Sequence, residues 1–173
     1  MYKETIDAQT KCVLDKIKKS EIAGNFYLAG GTALAAQLGH RKSINLDFFS
    51  REKFSTSELK KELSKIGKVV LVGEADGTLH LTVDHVMVSF LQYEYDLLFP
   101  LVDFEGIILA DARDIAAMKL DAVSSRGSKK DFVDIHELLK KYTLADIICF
   151  FEKKYSKIKY NKHAAYSQKS CLF

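Results

Sequence analysis

Polar and apolar side chains alternate along residues 43–49, which run Ser-Ile-Asn-Leu-Asp-Phe-Phe. Side chains of a β-strand point alternately to its two faces, so this pattern predicts a strand with one apolar and one polar face. Mg²⁺ commonly takes only one or two protein carboxylates beside phosphate and water oxygens. We therefore predict that Asp47 binds a metal ion and that Asn45 assists as a weaker ligand, although a solvated aspartate at a strand end has the same pattern. Ile44, Leu46 and Phe48 form the predicted core face, and Ser43, Asn45 and Asp47 share the other.

A glycine pair precedes this strand. Gly30-Gly31-Thr32 follows an apolar run over 26–30, predicted to be a buried strand, and leads into a helix predicted over 32–38. The N–H groups and the dipole at a helix N-terminus attract anions, glycine lets a phosphate approach closely, and the Thr32 hydroxyl can donate to it. A tight turn with glycine at positive φ and Thr32 as the cap explains the same residues. Both interpretations stay open on these residues alone.

The order of these motifs resembles the nucleotidyltransferase superfamily, whose signature is Gly-Gly or Gly-Ser, a helix, and Asp-x-Asp on a strand. Within it, Gly30-Gly31-Thr32, Arg41-x-Ser43 and the LDFF sequence around Asp47 resemble the AbiEii/AbiGii toxin family. Residues 116–139 are similar to that family's Lys-Leu…Arg…Lys-Asp-x-x-Asp region. The resemblance extends over roughly residues 20 to 140, which is most of the chain.

The resemblance implies a fold and an activity. The fold class would be α/β (α+β), a nucleotidyltransferase-like mixed β-sheet flanked by helices with a C-terminal helical segment. The activity would be Mg²⁺-dependent transfer of a nucleoside monophosphate from an NTP to a hydroxyl acceptor. That acceptor would be RNA, such as a tRNA end, or a protein side chain, and an antitoxin would be a partner.

Two positions depart from the superfamily pattern. Asn45 stands where the first metal carboxylate is expected, and Ser89, in residues 86–91, stands where a third is expected. Only Asp47 remains. The alternative is therefore a catalytically degenerate nucleotide- or RNA-binding module, or a protein that only binds a toxin–antitoxin partner.

Basic residues follow at helical spacing. Lys119 and Arg126 are seven residues apart, which places them on one helix face. We expect them to neutralise charge as pyrophosphate leaves, with Lys119 in a catalytic role and Arg126 in nucleotide binding, although a solvated helix face has the same spacing. The stripe predicted to face the core is Ile115, Met118 and Ala122.

The resemblance extends nucleotide binding to further residues. Lys130 and Asp131 would line the cleft, but Ser128 can also cap a helix here, with Asp131 and Asp134 favouring its dipole. Arg41, with Ser43 beside the strand, would bind phosphate or else form a surface ion pair. His40 is predicted to be an unpaired loop residue. Tyr93 or Tyr95 would stack on a base or pack at a core edge.

Composition describes an ordinary globular chain of 173 residues, with 47% hydrophobic residues, 28% charged residues and a net charge of +3. That charge is too small to indicate nucleic-acid binding. The three cysteines, Cys12, Cys149 and Cys171, lack metal-site spacing, which favours a reducing cytoplasm. The polar N-terminus predicts no signal peptide, and no apolar run is long enough to cross a membrane.

The remaining pattern predicts the elements that position these residues. Ser55, with Glu58 three residues later, predicts a helix start. A basic, partly disordered tail is expected after Glu152. We predict one domain over 1–142 and a C-terminal helix and basic tail over 143–173. Helices are further predicted over 6–22, 55–67, 112–125, 129–141 and 143–155. Strands are predicted over 68–72, 78–83 and 86–92, with turns at 74–77 and 84–85. We expect the helices to lie on one side of the sheet.

Overall fold

Seven strands and six α-helices make up the described part of the chain. The computed structural model describes the backbone of residues 1–167 and the side chains of residues 1–156. The strands are β1 (Tyr27–Ala29), β2 (Leu46–Ser50), β3 (Val69–Ala75), β4 (Thr78–Val83), β5 (Val86–Gln92), β6 (Val102–Phe104) and β7 (Ile107–Leu109). The helices are α1 (Ala8–Lys18), α2 (Gly30–Leu38), α3 (Thr56–Ile66), α4 (Ala112–Ser125), α5 (Lys129–Leu138) and α6 (Leu144–Ser167). Two 3-10 turns, Lys3–Thr5 and Glu21–Asn25, flank α1.

All seven strands belong to one mixed sheet in the order β3-β4-β5-β2-β1-β7-β6. The pairs β2–β5 and β1–β7 are parallel, and the other pairs are antiparallel. This confirms the predicted α/β class. It also places β2, the strand of Asp47, at the centre of the sheet, where its position is set by neighbours on both sides.

The core face of the sheet is made of aromatic and branched side chains. Leu46 and Phe48 of β2 lie beside Val88 and Phe90 of β5, and all four are at most 2% exposed. The rings of Phe48 and Phe90 stack with their centroids 5.2 Å apart. Helices α1 and α3 pack over this face and α4 lies over the other, so the sheet has helices on both sides rather than on one as predicted.

Local signals locate most helix starts. Ser55 accepts the backbone N–H of Glu58 at the start of α3, and Ser128 accepts that of Asp131 at the start of α5, which confirms both predicted caps. Asp7 and Asp111 cap α1 and α4 in the same way. A short polar side chain satisfies N–H groups that the first helical turn leaves without an intrahelical partner.

Several predicted boundaries were wrong. Residues 74 and 75 are the end of β3, so the hairpin turn is limited to 76–77, and α5 ends at Leu138 instead of 141. Strand β2 begins only at Leu46, and Ile44 is 56% exposed rather than in the core. The short strands β6 and β7, which pair with each other, were not predicted.

Helix α6 is anchored by a buried lysine. The ammonium of Lys154 donates to Asp114 of α4 at 2.7 Å and to the carbonyl of Asp96 at 2.9 Å, and the side chains of Lys154 and Asp114 are fully buried. Lys154 is thus part of the structure and not of a solvated basic tail. The helix continues through Ser167, while Lys169 and Cys171 lie outside the described residues. The division into 1–142 and 143–173 stays a prediction.

Candidate active site

A cavity of about 470 Å³ separates the second face of the sheet from helix α4. Asp47 projects into it from the sheet, the glycine pair borders it at the start of α2, and Lys119 and Arg126 line it from α4. The residues at the predicted metal strand, the phosphate turn and the basic helix therefore meet in one place. Ile115 and Met118 pack in or against the core, as predicted, and both of them and the partly buried Ala122 also line the cavity.

A row of polar side chains crosses three strands on the floor of this cavity. Asp47 of β2 is in register with Ser89 of β5, and Ser89 is in register with His80 of β4. The His80 Nδ1 atom lies 3.0 Å from the Ser89 hydroxyl. His80 was missed in the sequence, although it is a single histidine in an otherwise alternating strand, Thr-Leu-His-Leu-Thr-Val.

Gly30 brings the backbone against the Asp47 carboxylate. Its φ is +65°, and a Cβ atom at this position would lie 2.7 Å from Asp47 Oδ2. The predicted positive φ is therefore correct, and a second reason for glycine is the closeness of the acid. Gly31 is constrained differently, because a Cβ there would lie 2.2 Å from Arg41 Nη2. The turn has no space for any side chain.

Burial and neighbouring groups act in opposite directions on Asp47. Burial raises the pKa of its carboxyl group above the ordinary value, while the Ser89 hydroxyl and the positive charges of Lys119 and Arg126 oppose that rise. Burial makes the charged form of this carboxylate unfavourable in free energy, and a bound cation would stabilise that form strongly.

Thr32 and Ser43 hold the strand in place beneath the site. The Thr32 hydroxyl is hydrogen-bonded to the Ser43 hydroxyl at 2.8 Å and donates to the backbone carbonyl of Asn45. Thr32 is 1% exposed and Ser43 is 8% exposed, so neither hydroxyl faces the cavity. Ser43 does not share the face of Asp47 as predicted, because β2 begins only after it. The Asn45 side chain is exposed and does not line the cavity.

The second carboxylate of the Asp-x-x-Asp motif is the centre of a buried charge cluster. Asp134 receives His40 Nε2 at 2.7 Å, Arg41 Nε at 2.6 Å and Lys119 Nζ at 2.7 Å, and its side chain is 0% exposed. Burial alone would raise the pKa of Asp134, but these three hydrogen-bonding partners outweigh it and hold the pKa well below 3.8. Hence His40 is not unpaired, and Arg41 is neither a surface ion pair nor free to bind phosphate.

Asp131 is the second centre of this cluster. It receives Lys119 Nζ at 2.9 Å, Arg126 Nε at 2.9 Å and the Ser128 hydroxyl at 2.6 Å. Burial opposes ionisation here too, yet the hydrogen bonds, with Arg126 first among them, keep the pKa of Asp131 low. Asp131 thus acts behind the cavity wall and holds the two cations that line it. Lys130, its neighbour, is exposed and does not reach the cavity.

Tyrosines close one end of the cavity. Tyr93, which directly follows β5, and Tyr155 of α6 both line it, and their hydroxyl oxygens are 2.5 Å apart. The ring of Tyr95 lies 4.8 Å from that of Tyr93 and 4.5 Å from that of Tyr155. Burial raises the pKa of Tyr93 and of Tyr155 above the usual tyrosine range. The expected edge packing of Tyr93 and Tyr95 is therefore observed, with Tyr93 also bordering the cavity.

The described residues contain no group of three or more His, Cys, Asp or Glu side chains arranged to hold a metal. Asp47 is the carboxylate beside the glycine turn, and one carboxylate suffices for a Mg²⁺ ion that takes its remaining ligands from phosphate and water. Within the same described part of the chain, no helix is long and apolar enough to cross a membrane.

Comparison with known proteins yields a sequence match along most of the chain. The sequence model described as nucleotidyl transferase AbiEii toxin, type IV toxin–antitoxin system, matches residues 12–162. An uncharacterized protein, aq_aa25, of Aquifex aeolicus strain VF5 is 36% identical over 154 residues, which cover 86% of this chain and 75% of that protein.

Solved structures are similar in fold at low sequence identity. The antibiotic-resistance factor ANT(2'')-Ia has a TM-score of 0.63 at 13% identity, covering 91% of this chain and 95% of that one. The Megavirus polyadenylate synthase has a TM-score of 0.55 at 16% identity, covering 77% of this chain. The present chain spans 30% of the length of the Megavirus protein.

Proposed function

Because the chain belongs to the AbiEii family of nucleotidyl transferase toxins, it is a nucleotidyltransferase, and we propose that it transfers a nucleoside monophosphate from an NTP to a hydroxyl group of RNA, such as a tRNA end, or of a protein. One observation carries this proposal. Among the residues whose side chains the structure describes, Asp47 is the only carboxylate on the sheet side of the cavity, and it lies against the Gly30 turn and faces two cations, Lys119 and Arg126.

The glycine turn and the helix behind it suit a triphosphate. The free N–H groups of the first turn of α2 point out of its N-terminal end, where they can bind an anion. Neither Gly30 nor Gly31 has a side chain that would keep phosphate away. Lys119 and Arg126, on the opposite wall, would take up the negative charge that develops as pyrophosphate leaves. Arg41, Thr32 and Ser43 act behind this surface by fixing the turn and β2.

Asp47 is the residue that would hold Mg²⁺. Its carboxylate borders the backbone of Gly30 at a distance that excludes even a methyl group, so phosphate and metal would meet there. When bound, the ion supplies charge neutralisation at the phosphates and polarises the phosphorus. Asn45 has no part in this proposal because its side chain is exposed outside the cavity.

We also place the reaction in the cytoplasm, with an antitoxin as partner by analogy with the family. The described cysteines, Cys12 and Cys149, are exposed and free, in keeping with a reducing compartment.

Label transfer tests the proposed function. The protein is incubated with each α-labelled NTP, Mg²⁺ and total bacterial RNA, and label on RNA and on protein is measured. We expect transfer by the wild type and by Asp15→Ala, an exposed acid of α1, and a loss of at least about 10²-fold in Asp47→Ala. Nucleotide binding without transfer from folded protein would favour a degenerate binding module. No nucleotide affinity at all would favour a protein that only binds a partner.

A further inference from the structure

The cavity offers few groups that can take a proton from an attacking hydroxyl. Lys119 donates to two carboxylates, and Arg126 is paired with Asp131. Tyr93 and Tyr155 keep their protons, since burial raises both pKa values. Asp121 is an exposed carboxylate that lines the cavity from α4, on the wall opposite the sheet.

The row on the cavity floor contains a second candidate, His80, which lies in register with Ser89 next to Asp47. Its Nδ1 atom is fixed by Ser89, while no residue in the described part of the chain bonds its Nε2 atom. His80 is half-buried and borders the same cavity as Asp47.

The direction of the hydrogen bonds follows from the chemistry of the three groups. An ionised carboxylate only accepts hydrogen bonds, so the Ser89 hydroxyl donates to Asp47, whose pKa it lowers. The Ser89 oxygen is then the acceptor for His80 Nδ1–H, and the lone pair of the imidazole is on Nε2.

We propose that His80 is the catalytic base of the transfer reaction and that Ser89 positions it. The acceptor hydroxyl gives its proton to His80 Nε2, and its oxygen forms a bond to the α-phosphorus. The bond from the α-phosphorus to the oxygen that bridges it to the β-phosphorus breaks, and pyrophosphate leaves with that electron pair. The inference rests on the proposed function and names its proton acceptor.

Single-turnover label transfer with His80 variants tests the inference. In His80→Ala, the rate is expected to fall about 10²- to 10⁴-fold, the usual contribution of a general base. Binding of a fluorescent NTP analogue should stay within about twofold of the wild type, since the phosphate groups bind at the opposite wall and the turn. His136→Ala, an exposed histidine of α5, is the matched control and should match the wild type in both assays.

Two further variants separate a base from a structural histidine. His80→Gln keeps an amide that can bond Ser89 but cannot take a proton, so it should be as slow as His80→Ala. Ser89→Asp in the His80→Ala background places a carboxylate beside Asp47 and should restore the rate at least about tenfold. A His80→Gln enzyme close to wild type, or a His80→Ala enzyme that loses NTP binding as well, would assign His80 a structural role and overturn the inference.

Failure of the inference differs from failure of the proposed function. If the wild type transfers label and Asp47→Ala does not, while His80→Ala transfers within about threefold of wild type, the function stands and the base is not His80. If the wild type transfers no label to any acceptor, the function fails and the inference fails with it.

Discussion

The two walls of the cavity hold their charged groups in opposite ways. On the sheet wall, Asp47 is alone among Ser89, His80 and aromatic residues, and burial raises its pKa. On the helix wall, Asp131 and Asp134 are surrounded by cations that hold both pKa values low. The two walls therefore use carboxylates differently. On the sheet wall, the negative charge of Asp47 is only partly balanced by neighbouring groups, so the carboxylate can bind a ligand. On the helix wall, hydrogen bonds and cations fully occupy Asp131 and Asp134, which hold the helices and the cations in place.

Asp134→Ala removes a central carboxylate of the helix wall and should have the largest effect on stability. It leaves His40, Arg41 and Lys119 without their shared carboxylate in a buried setting. We expect the free energy of unfolding to fall by about 3–5 kcal/mol, the usual result of removing one partner from a buried ion pair. Urea unfolding monitored by circular dichroism measures it. Glu137→Ala, which removes a surface pair with Lys140, is the control and should cost at most about 1 kcal/mol.

The same cluster has a pH signature. The pKa of Asp134 is lower in the folded chain than the ordinary 3.8, so its ion pairs stabilise the fold fully above that pH. This stabilisation is lost as the pH falls from there through the folded-state pKa. The stability gap between wild type and Asp134→Ala should therefore be constant near neutrality and shrink below about pH 4. A gap that widened on acidification would contradict the assignment.

Thr32→Val tests whether the hydroxyl beneath the turn serves the fold. The valine is similar in shape but leaves the Asn45 carbonyl and the Ser43 hydroxyl without their partner. The expected loss is about 1–3 kcal/mol, the cost of an unsatisfied buried polar group. Thr32→Ser, measured in the same denaturation series, should recover most of it. NTP affinity that drops in Thr32→Val without a loss of stability, and recovers in Thr32→Ser, would instead assign the Thr32 hydroxyl to phosphate binding.

Asp47→Asn, on the sheet wall of the cavity, should raise the stability of the fold, whereas the substitutions above lower it. Since burial raises the pKa of Asp47, the charged form opposes folding, and this penalty grows as the pH rises through the folded-state pKa. A neutral amide of the same shape should abolish transfer while raising the free energy of unfolding by about 1 kcal/mol at neutral pH. Differential scanning calorimetry at pH 7 without metal would detect the increase. A lower melting temperature would mean that the folded chain already compensates this charge.

Lys130→Ala sets the lower end of the scale. Lys130 belongs to the Lys-Asp-x-x-Asp motif, yet its side chain is exposed and away from the cavity. Its removal should leave stability within about 0.5 kcal/mol and NTP affinity within about twofold. A tenfold loss of NTP affinity, measured by fluorescence titration, would show that this lysine reaches the nucleotide after all.

The sequence predicted the elements whose signal is local. Alternation identified β4 and β5, side-chain caps identified the starts of α3 and α5, and the glycine turn before Asp47 was recognisable from its order alone. The ion-pair partners of the buried carboxylates could not be predicted in this way. Asp134 is 94 residues from His40, and Asp114 is 40 residues from Lys154, so no spacing along one helix or strand could pair them.

The errors have the same physical origin. The alternating pattern of residues 43–49 is longer than the strand, because pairing with β1 and β5 begins only near Leu46. His80 was missed because its role depends on contacts with the neighbouring strand, and the spacing of residues along one strand does not show these contacts. Lys119 and Arg126 line the cavity together, as their spacing predicted, but that spacing could not show that Asp131 of the next helix binds both.

The contact between Gly31 and the Arg41 guanidinium has an evolutionary consequence. A methyl group at position 31 would overlap Nη2, so alanine there requires the arginine to withdraw from Asp134. Gly31 therefore cannot be replaced while Arg41 keeps its present contact with Asp134. Among descendants of this chain, a lineage that replaced Arg41 by a shorter side chain would be free to lose the second glycine, and the two substitutions should be inherited in that order.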